Sequence, residues 1–182
     1  MPIKITYFVH GTTLDNEQDL ATGWQPGELS ESGKKQAKEL GKIVADKKFD
    51  VVFCSDLKRS IDSAELGFGD RYKIIEDKRL REANYGDFTG KPAEIFKKKP
   101  IEYIEKKFPN GESYQDVEKR MNDFLKFLKG NFDGKHVAIV AHQAPQLALD
   151  VLLKGKTWNE AIVEDWRNTK NWQPGWEYFI KN

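Results

Sequence analysis

The sequence predicts an α/β protein built on a doubly wound, mostly parallel central sheet with helices on both faces. Three observations carry this. Short β-branched and aromatic runs recur along the chain, and longer polar stretches with helical spacing separate them. The runs are also almost continuously apolar, as expected of strands covered on both faces. At 182 residues the chain is sized for one compact domain, and residues 1–182 are expected to form it.

Each element has its own signal. Ile3 to Val9 (IKITYFV) is too short and too apolar for a helix and reads as the first strand. Ser30 to Asp46 carries Ala37, Leu40, Ile43 and Val44 at helical spacing, with Ser30 as N-cap. Asp50 to Cys54 and Tyr72 to Ile75 are the next two strands. Residues 89–112, rich in Lys and Pro, read as an irregular insertion and a candidate lid over one end of the sheet. Tyr114 to Leu128 follows as an amphipathic helix, with Ser113 and Asp116 spaced as a cap. The fourth strand is His136 to Ala141, and Pro145 suits the first turn of a helix running through Gln146 to Leu153. Trp158, Ile162 and Trp166 repeat every four residues, predicting one last helix, and Trp176 to Ile180 reads as an edge strand.

Composition excludes several classes. Apolar residues make up 38% and aromatic residues 12%, too much for disorder. Thirty basic residues against twenty-nine acidic give no global drive toward nucleic acid or an anionic membrane. The lone cysteine, Cys54, rules out an internal disulfide framework and reads as a small buried hydrophobe. No signal-like segment or membrane-length run occurs, so a cytoplasmic location is expected. Three scattered histidines do not have metal-site spacing. The Gly-Lys pairs fail as nucleotide loops: Gly86 to Lys91 and Gly130 to Lys135 are one residue short, and Gly155-Lys156-Thr157 has Asp150 where the first glycine belongs.

In an open parallel sheet the binding crevice lies beyond the carboxyl ends of the strands. There the sequence puts His10-Gly11-Thr12-Thr13 after strand one, Ser55 with Arg59 after strand two, and His142-Gln143 after strand four. Two imidazoles and a guanidinium converging near helix N-termini describe a site for a phosphoryl group. A neutral imidazole can also attack phosphorus.

These residues carry a resemblance to a family. Val9-His10-Gly11-Thr12-Thr13 with Asn16 resembles the RHGxTxxN signature of the histidine phosphatase superfamily, the phosphoglycerate mutase-like proteins. Five further blocks follow in the family's order: Gly23 to Ala37, Cys54 to Ala64, Leu80-Arg81-Glu82 with Tyr85 to Lys91, Pro109 to Ser113, and Val140-Ala141-His142. The resemblance implies a metal-independent phosphomonoesterase without cofactor, acting on a small-molecule phosphate ester. It implies His10 as the nucleophile, Arg59 and His142 on the phosphoryl oxygens, and Glu82 as general acid. Asn16, Thr12, Thr13, Gly11, Gln143 and Ser55 are then the expected substrate contacts. Neither nucleic acid nor membrane is expected as a partner, and a homodimer stays open.

The pattern has arginine where this chain has Val9, a departure that implies lowered activity. Losing one oriented donor to transition-state charge typically costs about 2.7 to 4 kcal/mol. Lys91, Lys35 and the Gln143 amide are the candidates to compensate. A catalytically weak phosphate-binding module of the same fold and a phosphoglycerate-type mutase are the alternatives, the mutase disfavoured by the short chain.

Overall fold

The computed structural model describes residues 1–181. Five strands form one sheet: β1 (Ile3–Val9), β2 (Val51–Cys54), β3 (Ile74–Glu76), β4 (His136–Ala141) and β5 (Trp176–Ile180). Their spatial order is β3-β2-β4-β1-β5. The first four run parallel, and β5 closes the edge antiparallel to β1. Among the described residues the α-helices are α1 (Leu14–Glu17), α2 (Glu31–Ile43), α3 (Lys58–Phe68), α4 (Glu94–Lys97), α5 (Tyr114–Asn131), α6 (Gln143–Lys154), α7 (Trp158–Val163) and α8 (Trp166–Thr169).

Period-two alternation explains why the sheet needs cover on both sides. Ile3, Ile5 and Tyr7 of β1 face one hydrophobic cluster with Val137, Ile139 and Ala141 of β4 and the buried stripe of α5. Phe8, Val52, Cys54, Ala138 and Val140 point the other way, where Ala64 and Phe68 of α3 meet them. Cys54 is fully buried there, as its neighbours in sequence suggested. On that face α2 and α3 approach closely: a Cβ at Gly41 would stand 2.3 Å from the Gly67 carbonyl oxygen.

Local chemistry fixes the helix ends as the sequence predicts at two points. Ser30 caps α2 by accepting the Gly33 amide, and Ser113 and Asp116 make both bonds of a capping box at α5. One expectation fails. Trp158, Ile162 and Trp166 do not share a helix, because the Asp165 side chain accepts the Arg167 amide and starts α8 as a separate turn. The 89–112 segment contains α4 and a 3-10 turn, Pro100–Tyr103. Phe96, Tyr103 and Phe108 anchor it in one aromatic cluster with Tyr85 and Phe88. No helix among the described residues is long and apolar enough to cross a membrane.

Candidate active site

Register alone brings the two histidines together. β1 and β4 are neighbours with Val9 opposite Ala141, so the residues after each strand emerge side by side. The His10 amide continues the ladder to the Ala141 carbonyl at 3.0 Å, and the His10 and His142 rings lie 5.0 Å apart. They open into a cavity of about 520 Å³ whose wall also carries Arg59, Glu82, Asn16, Thr12 and Gln143.

His10 has a defined tautomer. Its Nδ1 lies 2.7 Å from the Gly11 carbonyl oxygen, which can only accept, so Nδ1 carries the proton and Nε2 the lone pair. Burial, then the Arg59 charge, push its pKa down to about 3. His10 is therefore a neutral imidazole near pH 7.

Arg59, on the first turn of α3, is only 2% exposed. Its Nε donates toward His10 Nε2 at 3.4 Å, its Nη1 to the Gln25 and Pro26 carbonyls, and its Nη2 to the Gly23 carbonyl at 2.9 Å. Among the described residues no carboxylate is within ion-pair distance of it. A buried cation held only by neutral acceptors favours an anion beside it.

His142 is fully buried, and desolvation followed by the Arg59 charge holds its pKa well below the usual imidazole range. Its Nε2 lies 2.6 Å from Ser55 Oγ, leaving Nδ1 as the atom available to a ligand. Ser55 Oγ also accepts the Leu57 amide, so its hydroxyl proton is free to go to Nε2 and the ring proton sits on Nδ1. Tyr7 fixes the backbone behind the ring, its hydroxyl donating to the His142 carbonyl and accepting the His142 amide.

Glu82 is placed at the N-terminus of α6. Oε1 accepts the Ala83 and Ala144 amides at 2.8 and 3.0 Å, and Oε2 accepts the Gln143 amide at 3.2 Å. Oε1 accepts two amides, whereas Oε2 accepts one and keeps a lone-pair site. Arg120 clamps the loop from α5, donating to the carbonyls of Arg79, Arg81 and Glu82 while paired with Glu112 at 2.9 Å.

Three expected substrate contacts stand behind the wall instead of on it. Gly11 packs against α2, a Cβ there meeting the Gly33 carbonyl oxygen at 2.4 Å. Thr13 is fully buried and caps α1. Ser55 is spent on His142. Asn16 does face the cavity; its Oδ1 takes the Thr13 amide, leaving its amide nitrogen without a protein partner among the described residues. Thr12 lines the wall with its hydroxyl on Gln36, and the Gln143 amide nitrogen is taken by Asp165. Lys35 and Lys91 do not reach the cavity, whose basic wall residues are Arg59, Lys97 and Arg167. Tyr7, Arg120 and Arg167 were not singled out by sequence, since each is one polar residue in a segment whose pattern reads only as strand or helix.

The model of the histidine phosphatase superfamily (branch 1) matches residues 7–176. The chain belongs to the histidine phosphatase superfamily. Relatives of this superfamily member include an uncharacterized phosphatase, PhoE, of Bacillus subtilis, 32% identical over 149 residues that cover 80% of this chain and 75% of that protein. A 2,3-bisphosphoglycerate-dependent phosphoglycerate mutase of Streptococcus mutans is 39% identical over 95 residues, 49% of this chain. The chain spans only 41% of that mutase's length. Among solved structures, YhfR of Bacillus stearothermophilus superposes with a TM-score of 0.77 at 27% identity, covering 87% of this chain and 83% of that one. Superfamily relatives thus include both phosphatases and mutases.

Proposed function

We propose that this superfamily member is a metal-independent phosphomonoesterase that hydrolyses a small phosphorylated metabolite through a phosphohistidine. The observation that carries this reading is the neutral His10 imidazole, whose lone-pair nitrogen faces the buried, carboxylate-free Arg59 guanidinium.

In the first half-reaction His10 Nε2 bonds to phosphorus as the ester P–O bond breaks, and the departing alkoxide takes a proton from Glu82. Arg59, His142 Nδ1 and the Asn16 amide donate to the phosphoryl oxygens, positioning the group and neutralising its charge. In the second half-reaction Glu82 Oε2 takes a proton from water, the water oxygen bonds to phosphorus, and the P–N bond breaks. Phosphate leaves and neutral His10 is restored. Positioning and fixed charge supply most of the rate, so no metal is required by this scheme.

The test is hydrolysis of p-nitrophenyl phosphate by the purified protein with a metal chelator present. Turnover that persists in chelator and falls to background in His10→Ala is expected. Turnover unaffected by His10→Ala, or none by the unmodified protein, overturns the reading.

A further inference from the structure

A count of donors shows the pocket to be incomplete with the residues considered so far. A guanidinium has five N–H groups, and Arg59 directs four of them at His10, Gln25, Pro26 and Gly23. One remains for a ligand. A phosphoryl group in transit spreads charge over three equatorial oxygens. His142 Nδ1 and the Asn16 amide add neutral donors, and Val9, on the wall beside His10, adds none. Lys97 stands on the wall with its ammonium 2.6 Å from Asp19 and a side chain 55% exposed.

Arg167 is different. It lines the same cavity from α8, and only its Nη1 has a side-chain hydrogen bond, to Asp165 Oδ1 at 2.9 Å. Four of its five N–H groups are without a protein partner among the described residues. Its position is built from the site itself. Asp165 is 4% exposed, takes the Arg167 amide on Oδ1 and takes the Gln143 amide group on Oδ2. Gln143 in turn directly follows His142 and gives its backbone N–H to Glu82. On its other side the guanidinium lies over the Trp166 ring at 4.4 Å, and Trp166 stacks on Trp176 at 5.4 Å. Trp176 pairs with Tyr7, two residues before Val9 on β1. Val9, Trp166 and Arg167 line the same cavity. The positive field of Arg167 also contributes to holding both imidazoles neutral.

We infer that Arg167 is a phosphoryl-binding residue of this site, delivering from α8 the second guanidinium that Val9 cannot supply. Its ligand is the phosphoryl group of the proposed reaction, so the inference rests on that reading.

The experiment compares the unmodified protein with Arg167→Ala and Arg167→Lys in p-nitrophenyl phosphate hydrolysis and in calorimetric binding of inorganic phosphate. Arg167→Ala is expected to lower kcat/KM by about a hundred- to a thousandfold. It should weaken phosphate binding by at least about tenfold in a variant that is still folded. Added guanidinium ion should restore part of the lost activity, which a purely structural role for Arg167 would not allow. Arg167→Lys should recover charge but not the forked geometry and fall between the two. If Arg167→Ala stays within about threefold in kcat/KM while His10→Ala is inactive, the inference fails and the phosphatase reading stands. If the unmodified protein does not turn over, phosphate binding alone decides: loss of binding in Arg167→Ala supports the inference, and equal or absent binding overturns it.

Discussion

Gly33→Ala tests whether the close approach of α2 sets the position of His10, the proposed nucleophile. A Cβ at residue 33 would stand 2.0 Å from the Thr12 carbonyl oxygen and 2.8 Å from its nitrogen, and contacts under 3.0 Å are essentially never tolerated. The Thr12 oxygen already accepts the Ser30 amide at 3.0 Å, so the loop cannot retreat without breaking that bond. Relief requires the His10–Thr12 backbone to move by about 1 Å. A displacement of about 1 Å at reacting atoms costs about a hundredfold in rate. Stability should change less. Overpacking costs about 1–3 kcal/mol, and replacing a helical glycine by alanine returns up to about 1 kcal/mol. The assay is kcat for p-nitrophenyl phosphate beside urea unfolding, with Gly41→Ala as a matched control. That control makes a comparable clash, 2.3 Å from the Gly67 oxygen, on the same helix but away from the loop. Gly41→Ala should lose stability while keeping kcat within about threefold. Gly33→Ala with an unmodified kcat would show that α2 yields and the loop does not, refuting the reasoning.

Other outcomes follow from the same geometry. His10 and His142 have folded-state pKa values depressed below the ordinary 6.5. Their contribution to stability is therefore intact above about pH 6.5 and lost as pH falls toward the folded values. Urea unfolding between pH 6.5 and 4 should show an excess slope in the unmodified protein, and His10→Gln should remove about 1.4 kcal/mol per pH unit of it; identical slopes would contradict the buried neutral imidazole. Ser55→Ala should lower kcat about tenfold more than it changes KM, because His142 loses the hydroxyl that orients its ring; an unchanged kcat would dismiss that orienting role. Arg120→Met should cost on the order of 3 kcal/mol by leaving Glu112 unpaired. It should also depress kcat by freeing the Glu82 loop, and a kcat equal to the unmodified value at low temperature would separate the clamp from the chemistry.

The sheet was legible because its strands are buried on both faces, which leaves short apolar runs that no solvent-facing helix produces. β1 and β4 fall where the runs do, and the edge position of β5 shows in its exposed Glu177 and Phe179 between buried Trp176, Tyr178 and Ile180. Boundaries were less legible where one capping bond decides them. The fourfold spacing of Trp158, Ile162 and Trp166 looks helical, yet Asp165 breaks it by satisfying the α8 amides. At the site, His10, Arg59, Glu82 and His142 line one cavity; His10, Arg59 and His142 were readable from their address after strand ends, whereas Glu82 rested on the family resemblance alone. What a single sequence conceals is direction. Gly11, Thr13 and Ser55 lie in the same motifs but turn their groups toward α2, α1 and His142. Arg167 lies more than a hundred residues from His10 and Arg59, and nothing in its own segment marks it as facing the cavity.

The turn from Gly23 to Gly27, exposed at Trp24, Gln25 and Pro26, has a reach that its surface location conceals. Its carbonyls at 23, 25 and 26 hold Arg59, while Trp24 in the same turn donates its indole N–H to the Glu82 carbonyl and stacks against Arg81. One short loop is thus linked to His10, the proposed nucleophile, through Arg59 and to Glu82, the proposed proton carrier, through Trp24. In the proposed reaction a bend of this turn would shift both residues together, coupling attack to leaving-group departure.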